Sequence, residues 1–349
     1  MTKPALPREM FEVAPLRSAA FVATSVGLFL VGGVGANLAV QSSFPLALRA
    51  MACGLGIVVA CHGAHLMGFV GHEGIHANLH RNKHVSFLIG SFVSAATTFP
   101  ALGYGAAHWN HHRFTNMGGD PDAALYVQFR TFLSRCLFAR MTGSRSHMRN
   151  TLRLATGREL PIGYGLPVSK RQARWFASAN LCFLGFWLLV YVMLGAWHPQ
   201  VVVLGVVAPL LLLIPISGLR GYVEHAGTGG ADFSNARSWA SPVYTALFWG
   251  NNLHLEHHLY PGVPCYQLPA VHRLLEEGGF LDREGVHVER SILGPWRHAT
   301  MASQYPLYAA GGADAGSMRT HVIFGEAFAS APEVEEATEV ATGHSTGTP

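Results

Sequence analysis

The chain has 349 residues, of which 50% are hydrophobic and only 13% are charged, and its mean hydropathy is +0.25. Typical soluble domains are about a quarter charged, so this composition argues against an ordinary soluble domain and for a membrane protein. The net charge of +4 is modest, and the 5 cysteines show no paired spacing, which predicts no disulfide framework.

Four apolar stretches are long enough to cross a bilayer core of about 30 Å, which takes about 20 helical residues. They cover residues 19–40, 46–70, 175–196 and 201–219. Residues 1–17 carry acidic as well as basic side chains and no short apolar core, so we predict no secretory signal there. The first apolar stretch is therefore expected to stay in the protein.

His72 and His76 follow the second span at i, i+4 spacing, which places them on one helical face. With Glu73 they also spell His-Glu-x-x-His, the signature in which two histidines hold zinc and the glutamate is the general base of peptide hydrolysis. In a chain with this many histidines, two histidines at i, i+4 spacing are expected about once by chance. We leave His62 and His65, inside the span, out of the site, because buried histidines with satisfied hydrogen bonds explain them equally well.

Two copies of the pattern His-x-x-His-His are the most specific feature of the chain. Chance would produce roughly 0.06 such triplets at this histidine content. Positions i, i+3 and i+4 share a helical face, so each copy can offer three ring nitrogens to ions such as iron, zinc, copper or nickel. The alternative, polar turns that bind lipid phosphates, weakens because both copies lie just outside apolar segments. The triplets are His108, His111, His112 and His254, His257, His258.

A fifth apolar stretch, residues 85–105, is interrupted by Pro100 and contains several serines and threonines. If it crossed the membrane, the two triplets would face opposite sides. We therefore predict a re-entrant or interfacial helical piece, whose backbone polar groups are satisfied by protein neighbours or a cavity.

Basic residues are concentrated in one connecting segment. Residues 108–174 contain eleven of the 24 Lys and Arg residues and three acidic ones, whereas 41–45 and 197–200 contain no Lys or Arg. Because loops rich in Lys and Arg stay in the cytoplasm, both termini and the histidine triplets are predicted to be cytoplasmic. Arginines beside apolar spans follow from this topology and from anionic lipids, so we expect no nucleic-acid partner.

Single residues near these groups leave alternatives open. His225 follows the fourth span, but Arg220 and Glu224 are spaced to pair with each other, so the spacing does not decide whether His225 is a ninth ligand. Asp120 and Asp122 lie in Gly-Gly-Asp-Pro-Asp, which is typical of a turn and a helix N-cap. We favour that role over a hydrogen bond to a ligand imidazole.

From about residue 309 the sequence turns to Gly, Ala, Thr, Ser and Glu with few large apolar residues, which predicts a disordered tail. We therefore divide the chain into a cytoplasmic N-terminal segment (1–18), a membrane domain (19–308) and the tail (309–349). The spans predict an all-α fold.

The three histidine groups, together with the sequences that follow the last two, resemble the histidine boxes of the membrane-bound fatty acid desaturase and hydroxylase superfamily. The boxes are His72-Glu-Gly-Ile-His76, His108-Trp-Asn-His111-His112 and His254-Leu-Glu-His257-His258. The second box is followed by Arg-Phe-Thr-Asn-Met-Gly-Gly-Asp-Pro-Asp and the third by Leu-Tyr-Pro-Gly-Val-Pro. The resemblance covers roughly residues 20–290. It implies an integral membrane four-helix transmembrane bundle with a cytoplasmic helical cap that carries the boxes.

The resemblance also implies a non-haem centre of two iron ions that uses O2 to attack an unactivated C–H bond of a lipid or fatty acyl chain. It implies an external electron donor of the ferredoxin or cytochrome b5 type, since no flavin or haem motif is present. Under this resemblance the metal ligands are His72, His76, His108, His111, His112, His225, His254, His257 and His258.

Among the reactions open to such a centre, we favour desaturation of a fatty acyl chain. Hydroxylation or ketone formation on a lipid or carotenoid is the alternative, because the outcome depends on ångström-scale placement of the substrate. A zinc metalloprotease using His72, Glu73 and His76 is a remoter hypothesis, since it explains only one group. A metal transporter is disfavoured, because the groups cap the spans instead of lying at mid-membrane.

Overall fold

The computed structural model describes residues 3–161 and 164–300, so the predicted tail 309–349 lies outside these ranges. The described residues are mostly helical, which confirms the predicted all-α class. Two three-residue strands, β1 (Arg237–Trp239) and β2 (His287–Glu289), pair in parallel with Arg237 opposite His287.

The helices follow one another with mostly short connections. In the first half they are α1 (Pro15–Gln41), α2 (Leu46–Ile75), α3 (Lys83–Ala95), α4 (Ala101–Phe114), α5 (Pro121–Tyr126), α6 (Phe132–Ser134) and α7 (Arg140–Ala155), with a 3-10 turn at Arg8–Phe11 and a π-helical stretch at Arg135–Ala139. In the second half they are α8 (Lys170–Trp197), α9 (Pro199–Val202), α10 (Ala208–His225), α11 (Pro242–Phe248), α12 (His254–Leu259), α13 (Leu268–Glu277) and α14 (Gly294–Thr300), with a π-helical stretch at Val203–Val207 and 3-10 turns at Asp232–Ser234 and Cys265–Gln267.

Within the described ranges, four helical runs are long and apolar enough to cross a membrane. They are the run Arg8–Gln41, which contains α1, the helices α2 and α8, and the continuous run Pro199–His225, which joins α9 to α10. Each predicted span falls inside one of these runs, so the four-helix prediction is confirmed. The start of α8 is fixed by a capping box, in which Ser169 and Gln172 each accept a hydrogen bond from the other's backbone N–H.

α2 is longer than a bilayer requires. Its 30 residues, at about 1.5 Å per residue, extend about 45 Å against a bilayer core of about 30 Å. The predicted span ended at residue 70, whereas α2 continues to Ile75 and carries His72 in its last turn. Counted from Leu46, this histidine-bearing end lies beyond the thickness of the apolar core.

α1 and α2 pack antiparallel through small residues. A Cβ atom added at Gly32 would lie 2.3 Å from the backbone nitrogen of Ala60, and one at Gly56 would lie 2.6 Å from that of Ala36. The two backbones are therefore closer than any larger residue would permit. Small residues four positions apart are a common means of association between membrane helices, because lipid provides no hydrophobic driving force between them.

The fifth apolar stretch forms two short helices. α3, with 13 residues, runs back along the end of α2, so that Gly90 faces Gly74 and Ser94 faces Gly71. After a break that ends at Pro100, α4 reverses direction over 14 residues. Each helix is about 20 Å long, too short to cross about 30 Å. The pair returns the chain to the end of α2, where the first two histidine boxes meet.

The C-terminal part of the described chain holds α12 in place. The N–H of Leu255 donates to Ser238 Oγ at 2.9 Å, and the Ser238 hydroxyl donates to the carboxylate of Glu256. Glu256 also accepts a hydrogen bond from His272 of α13. With 6 residues, α12 is too short to be stable alone, so β1 and α13 supply its support.

Candidate metal centre

The nine predicted ligands come from the end of α2 and the residue after it, from α4, from the last residue of α10 and from α12. The structure brings them into two groups, in each of which one possible ligand atom per residue lies within 4.8 Å of the others. The five-histidine group is His72, His76, His108, His112 and His257, and the four-histidine group is His111, His225, His254 and His258.

Each His-x-x-His-His triplet contributes to both groups. On α4, His108 and His112 belong to the five-histidine group, whereas His111 belongs to the four-histidine group. On α12 the division is reversed, because His257 alone joins the five-histidine group. Residues i and i+4 differ by about 40° around a helix, and i+3 is displaced to the other side of i. This displacement lets one helical turn face two neighbouring sites.

In the five-histidine group the Nε2 atoms converge. Nε2 of His108 lies 3.0 Å from Nε2 of His72, 3.0 Å from that of His76 and 2.9 Å from that of His112. Nε2 of His112 lies 3.0 Å from Nε2 of His257. A neutral imidazole has one N–H, so these contacts cannot all be hydrogen bonds. Nitrogens that bind one ion at right angles through bonds of about 2.1 Å are about 3.0 Å apart, as found here.

The four-histidine group converges in the same way. Nε2 of His225 lies 3.0 Å from Nε2 of His111 and 2.9 Å from Nε2 of His254. The His258 ring centroid lies 5.0 Å from that of His111 and 4.8 Å from that of His225. Its Nε2 is buried and has no hydrogen-bond partner among the described residues. His225, whose role the spacing left open, is thus part of this cluster.

The other ring nitrogens show where the protons lie. Nδ1 of His225 donates to the carbonyl of Asn235, and Nδ1 of His111 donates to Asp120 Oδ1, both at 2.9 Å. Because carbonyl and carboxylate oxygens accept, a neutral ring carries its proton on Nδ1 and a lone pair on Nε2. When both rings are neutral, two lone pairs face each other across 3.0 Å. The arrangement is unfavourable without a positive charge between them, so these residues fit a bound cation.

Burial keeps most of these rings neutral. It lowers the pKa of His76 to about 3. It also holds the pKa well below its ordinary value for His108, His112, His254, His257 and His258. For His111, burial also lowers the pKa, but the carboxylates of Asp120 and Asp122 outweigh it and raise the pKa to about 9. Neutral imidazole is the form that binds metal, and a cation at the four-histidine group would displace the extra proton of His111.

Asp120 fills both of the roles considered for it. Its Oδ1 accepts from the N–H of Asp122 at 2.8 Å, which caps α5, and also from Nδ1 of His111. Its Oδ2 accepts from the N–H of Asn116 at 2.8 Å. The favoured cap role of Asp120 is therefore confirmed, and the alternative, a hydrogen bond to a ligand imidazole, is present as well, because one carboxylate has enough lone pairs for both.

Three residues that hold ligand rings were not predicted. The Tyr104 hydroxyl lies 3.1 Å from Nδ1 of His108, and Thr115 Oγ1 lies 3.3 Å from Nδ1 of His258. The third is Asn235, which acts through its backbone carbonyl. Tyr104 precedes His108 by one helical turn, so its position was visible in the spacing. A backbone carbonyl leaves no sequence signal.

Glu73 holds a ring too. Its carboxylate accepts from Nδ1 of His72 at 3.1 Å and from the N–H of Cys265 at 2.9 Å, and the residue is 1% exposed. The general base of a zinc protease must instead reach a metal-bound water. Arg220 and Glu224 do pair, with Nε 2.8 Å from Oε1, although the adjacent His225 joins the four-histidine group.

A cavity of about 170 Å³ adjoins both groups. Its wall includes His72 and His257 from one group and His225 from the other. Phe69 and Leu213 supply apolar surface. The cavity therefore offers an apolar molecule a place directly beside the candidate metal ligands.

The fatty acid desaturase family matches residues 46–290, which include all three histidine boxes. The chain belongs to this family, and the resemblance drawn from the boxes is confirmed. With its four long apolar helices, it is a membrane protein.

Two curated relatives are similar at low identity. One is beta-carotene 4-ketolase 3 of Haematococcus lacustris, 26% identical over 224 residues, which are 59% of this chain and 58% of that protein. The other is the chloroplastic omega-6 fatty acid desaturase of Arabidopsis thaliana, 23% identical over 294 residues, which are 78% of this chain and 62% of that protein. The matches thus span about three fifths of the length of these relatives.

Proposed function

We propose that the chain is an O2-dependent membrane oxidoreductase with a non-haem centre of two iron ions held by the nine clustered histidines. The observation that carries this proposal is the pair of neighbouring Nε2 clusters beside one cavity. Family membership supports iron over the other metals that imidazole binds. When bound, the irons would supply the O2 chemistry that attacks a C–H bond of a lipid.

The protein's own residues would orient the metal ligands and the substrate. Asp120 and the carbonyl of Asn235 hold two rings with their Nε2 lone pairs facing the ion position. Phe69 and Leu213 give the cavity apolar surface, which would disfavour water beside the substrate. The substrate C–H bond would be placed by these walls.

Desaturation of a fatty acyl chain is the reaction we favour, and similarity to an omega-6 desaturase supports it. Such a turnover removes two hydrogens from the chain and takes two electrons and two protons from outside, so that O2 leaves as two waters. Hydroxylation or ketone formation on a lipid or carotenoid is the second candidate, supported by similarity to a carotene ketolase.

We further propose that both termini and the histidine boxes are cytoplasmic and that a ferredoxin-type or cytochrome b5-type donor delivers the electrons. The basic segment 108–174 supports this orientation. It would also favour docking of an acidic donor through charge complementarity.

The test is to express the chain and its His111→Ala variant, and to compare iron content and lipid composition. For the wild type we expect about two irons per chain and new lipid products by mass spectrometry. In the variant we expect the iron and the products to be lost. Loss of two hydrogens per product would indicate desaturation, and gain of one oxygen hydroxylation. The exposed His80 lies outside both groups, so His80→Ala is the matched control. Unchanged lipid oxidation in His111→Ala would reject the proposal.

A further inference from the structure

One arginine of α7 lines the cavity. Arg140, the first residue of α7, is half-buried, and its guanidinium lies 5.0 Å from the Phe99 ring centroid. Within residues 3–161 and 164–300 it has no hydrogen bond or ion pair. A half-buried cation has lost part of its water, so a counter-charge or an acceptor within reach stabilises it. Arg140 is therefore placed to donate hydrogen bonds to an oxygen group of a molecule in the cavity.

Two more polar residues of α7 share this wall. Ser144 and His147 follow Arg140 by four and seven positions, which puts all three on one helical face, and all three line the cavity. Nδ1 of His147 is buried without a hydrogen-bond partner in the described part of the chain. Burial lowers the pKa of His147 to about 3, so its ring is neutral and can donate a hydrogen bond. We call these three residues the polar recess.

A second arginine contributes an unused donor nearby. Arg220 uses Nε for Glu224 and Nη2 for the carbonyl of Asn251, and its guanidinium lies 3.8 Å from the Phe69 ring centroid. Its Nη1 is buried without a partner among the residues described. The cavity thus has unused donors from two elements. Arginine matches a planar oxygen group such as a carboxylate better than a lone hydroxyl.

The polar recess is close to the candidate metal ligands. The His147 ring centroid lies 5.4 Å from that of Tyr104, and the Tyr104 ring stacks on His108 at 4.9 Å. One tyrosine ring therefore lies between His147 of the polar recess and His108 of the five-histidine group. A substrate held here by its oxygen would present carbons that are only a few bonds away from that oxygen.

We propose that Arg140, Ser144 and His147 bind a carboxylate or carbonyl oxygen of the substrate, so that oxidation occurs within a few carbons of it. This inference rests on the proposed function for the oxidation step, but the binding step is independent of it. Binding in the polar recess would select an apolar substrate with an oxygen-bearing end. It would disfavour oxidation at carbons far from that end.

The binding test uses the full chain in phosphatidylcholine nanodiscs and parinaric acid, a fluorescent polyene fatty acid, with its methyl ester as second probe. We expect Arg140→Gln to weaken binding by about tenfold or more, and His147→Phe by a smaller factor. The matched control is Arg145→Gln, an equal charge change at an exposed position of the same helix. Arg140→Lys should retain part of the affinity, because it keeps the charge.

The pattern of losses identifies the group that is bound. If only the acid loses affinity in Arg140→Gln, the recess binds a carboxylate; if acid and ester both lose it, the recess binds a carbonyl. Equal binding by wild type and Arg140→Gln would overturn the proposal. Displacement of the probe by phosphatidylglycerol from wild type alone would also overturn it, because a headgroup phosphate would then be the ligand.

Iron content keeps this test separate from the test of function. We expect Arg140→Gln to retain the wild-type iron content, which also shows that it folds. If the acid binds through Arg140 but wild-type protein oxidises no lipid, the proposed function fails and the recess stands. If lipid is oxidised and Arg140→Gln binds the probe as well as wild type does, only the proposal for the polar recess is rejected.

Discussion

The carboxylate of Asp120 caps α5 and holds the ring of His111 at the same time. Its negative charge favours a positive charge at the four-histidine group, as the raised pKa of His111 shows. A group that fixes a ligand ring in this way also makes the ring a stronger donor to metal. Asp120 should therefore affect metal affinity without contacting the ion.

Replacing Asp120 by Asn retains one oxygen as acceptor for the cap and for His111, but it removes the charge and the acceptor of the Asn116 N–H. We expect iron affinity at the four-histidine group to fall by about 10- to 100-fold. Titration of the chelator-treated full chain with ferrous iron would measure it. Asp232, which is exposed, provides the control Asp232→Asn. Equal iron affinities in the two variants would contradict this role.

At the scale of elements, the contact between α1 and α2 depends on the absence of side chains. Gly32 meets the backbone of Ala60, whereas Gly35, on the same helix, has no heavy atom within 4 Å of its would-be Cβ. The two glycines therefore differ in packing while sharing a helix and a similar membrane depth.

We expect Gly32→Ala to destabilise the protein by about 1–3 kcal/mol, because the added methyl group forces the helices apart. Gly35→Ala should change stability little. Thermal unfolding in matched nanodiscs would compare the two variants. Similar unfolding temperatures for both would show that the α1–α2 contact tolerates a wider separation than its geometry indicates.

Elements with a local sequence signal could be predicted, whereas features that depend on packing between distant parts of the chain could not. The apolar spans were found because about 20 consecutive apolar residues give a local signal. The extension of α2 past residue 70 was missed, since Gly71 to Ile75 include polar residues whose burial depends on α3. The short α3 and α4 were suggested by Pro100, but their antiparallel return was not, because it depends on packing.

The site shows the same division. Helical spacing put the members of each triplet on one face, and the family resemblance suggested His225. The assignment of His111 and His112 to different groups could not be predicted, because it needs the positions of α10 and α12. The ring-holding carbonyl of Asn235 was invisible for a simpler reason, since any residue could supply it.

At the scale of the whole molecule, the clustered histidines connect four elements that are far apart in the sequence. α2, α4, α10 and α12 each contribute, so metal would stabilise the fold as a whole. Binding to the folded state alone adds about 2.7 kcal/mol at a free metal concentration 100 times the Kd.

Chelation should therefore lower the unfolding temperature of the wild-type protein by several degrees, and added ferrous iron should restore it. Differential scanning fluorimetry of the full chain in nanodiscs would follow the change. The variant His111→Ala should respond less, since it lacks one ligand of the four-histidine group. An equal response in both would mean that the chelator acts elsewhere.

Adjacent residues of α4, His111 and His112, belong to different groups, and His257 and His258 of α12 repeat this division. The two histidine groups are therefore linked twice by a single peptide unit, once in α4 and once in α12. When either helix shifts, it carries at least one histidine of each group with it. Movements of the helices around α4 and α12 would therefore displace both groups together, so that the spacing between the groups changes little.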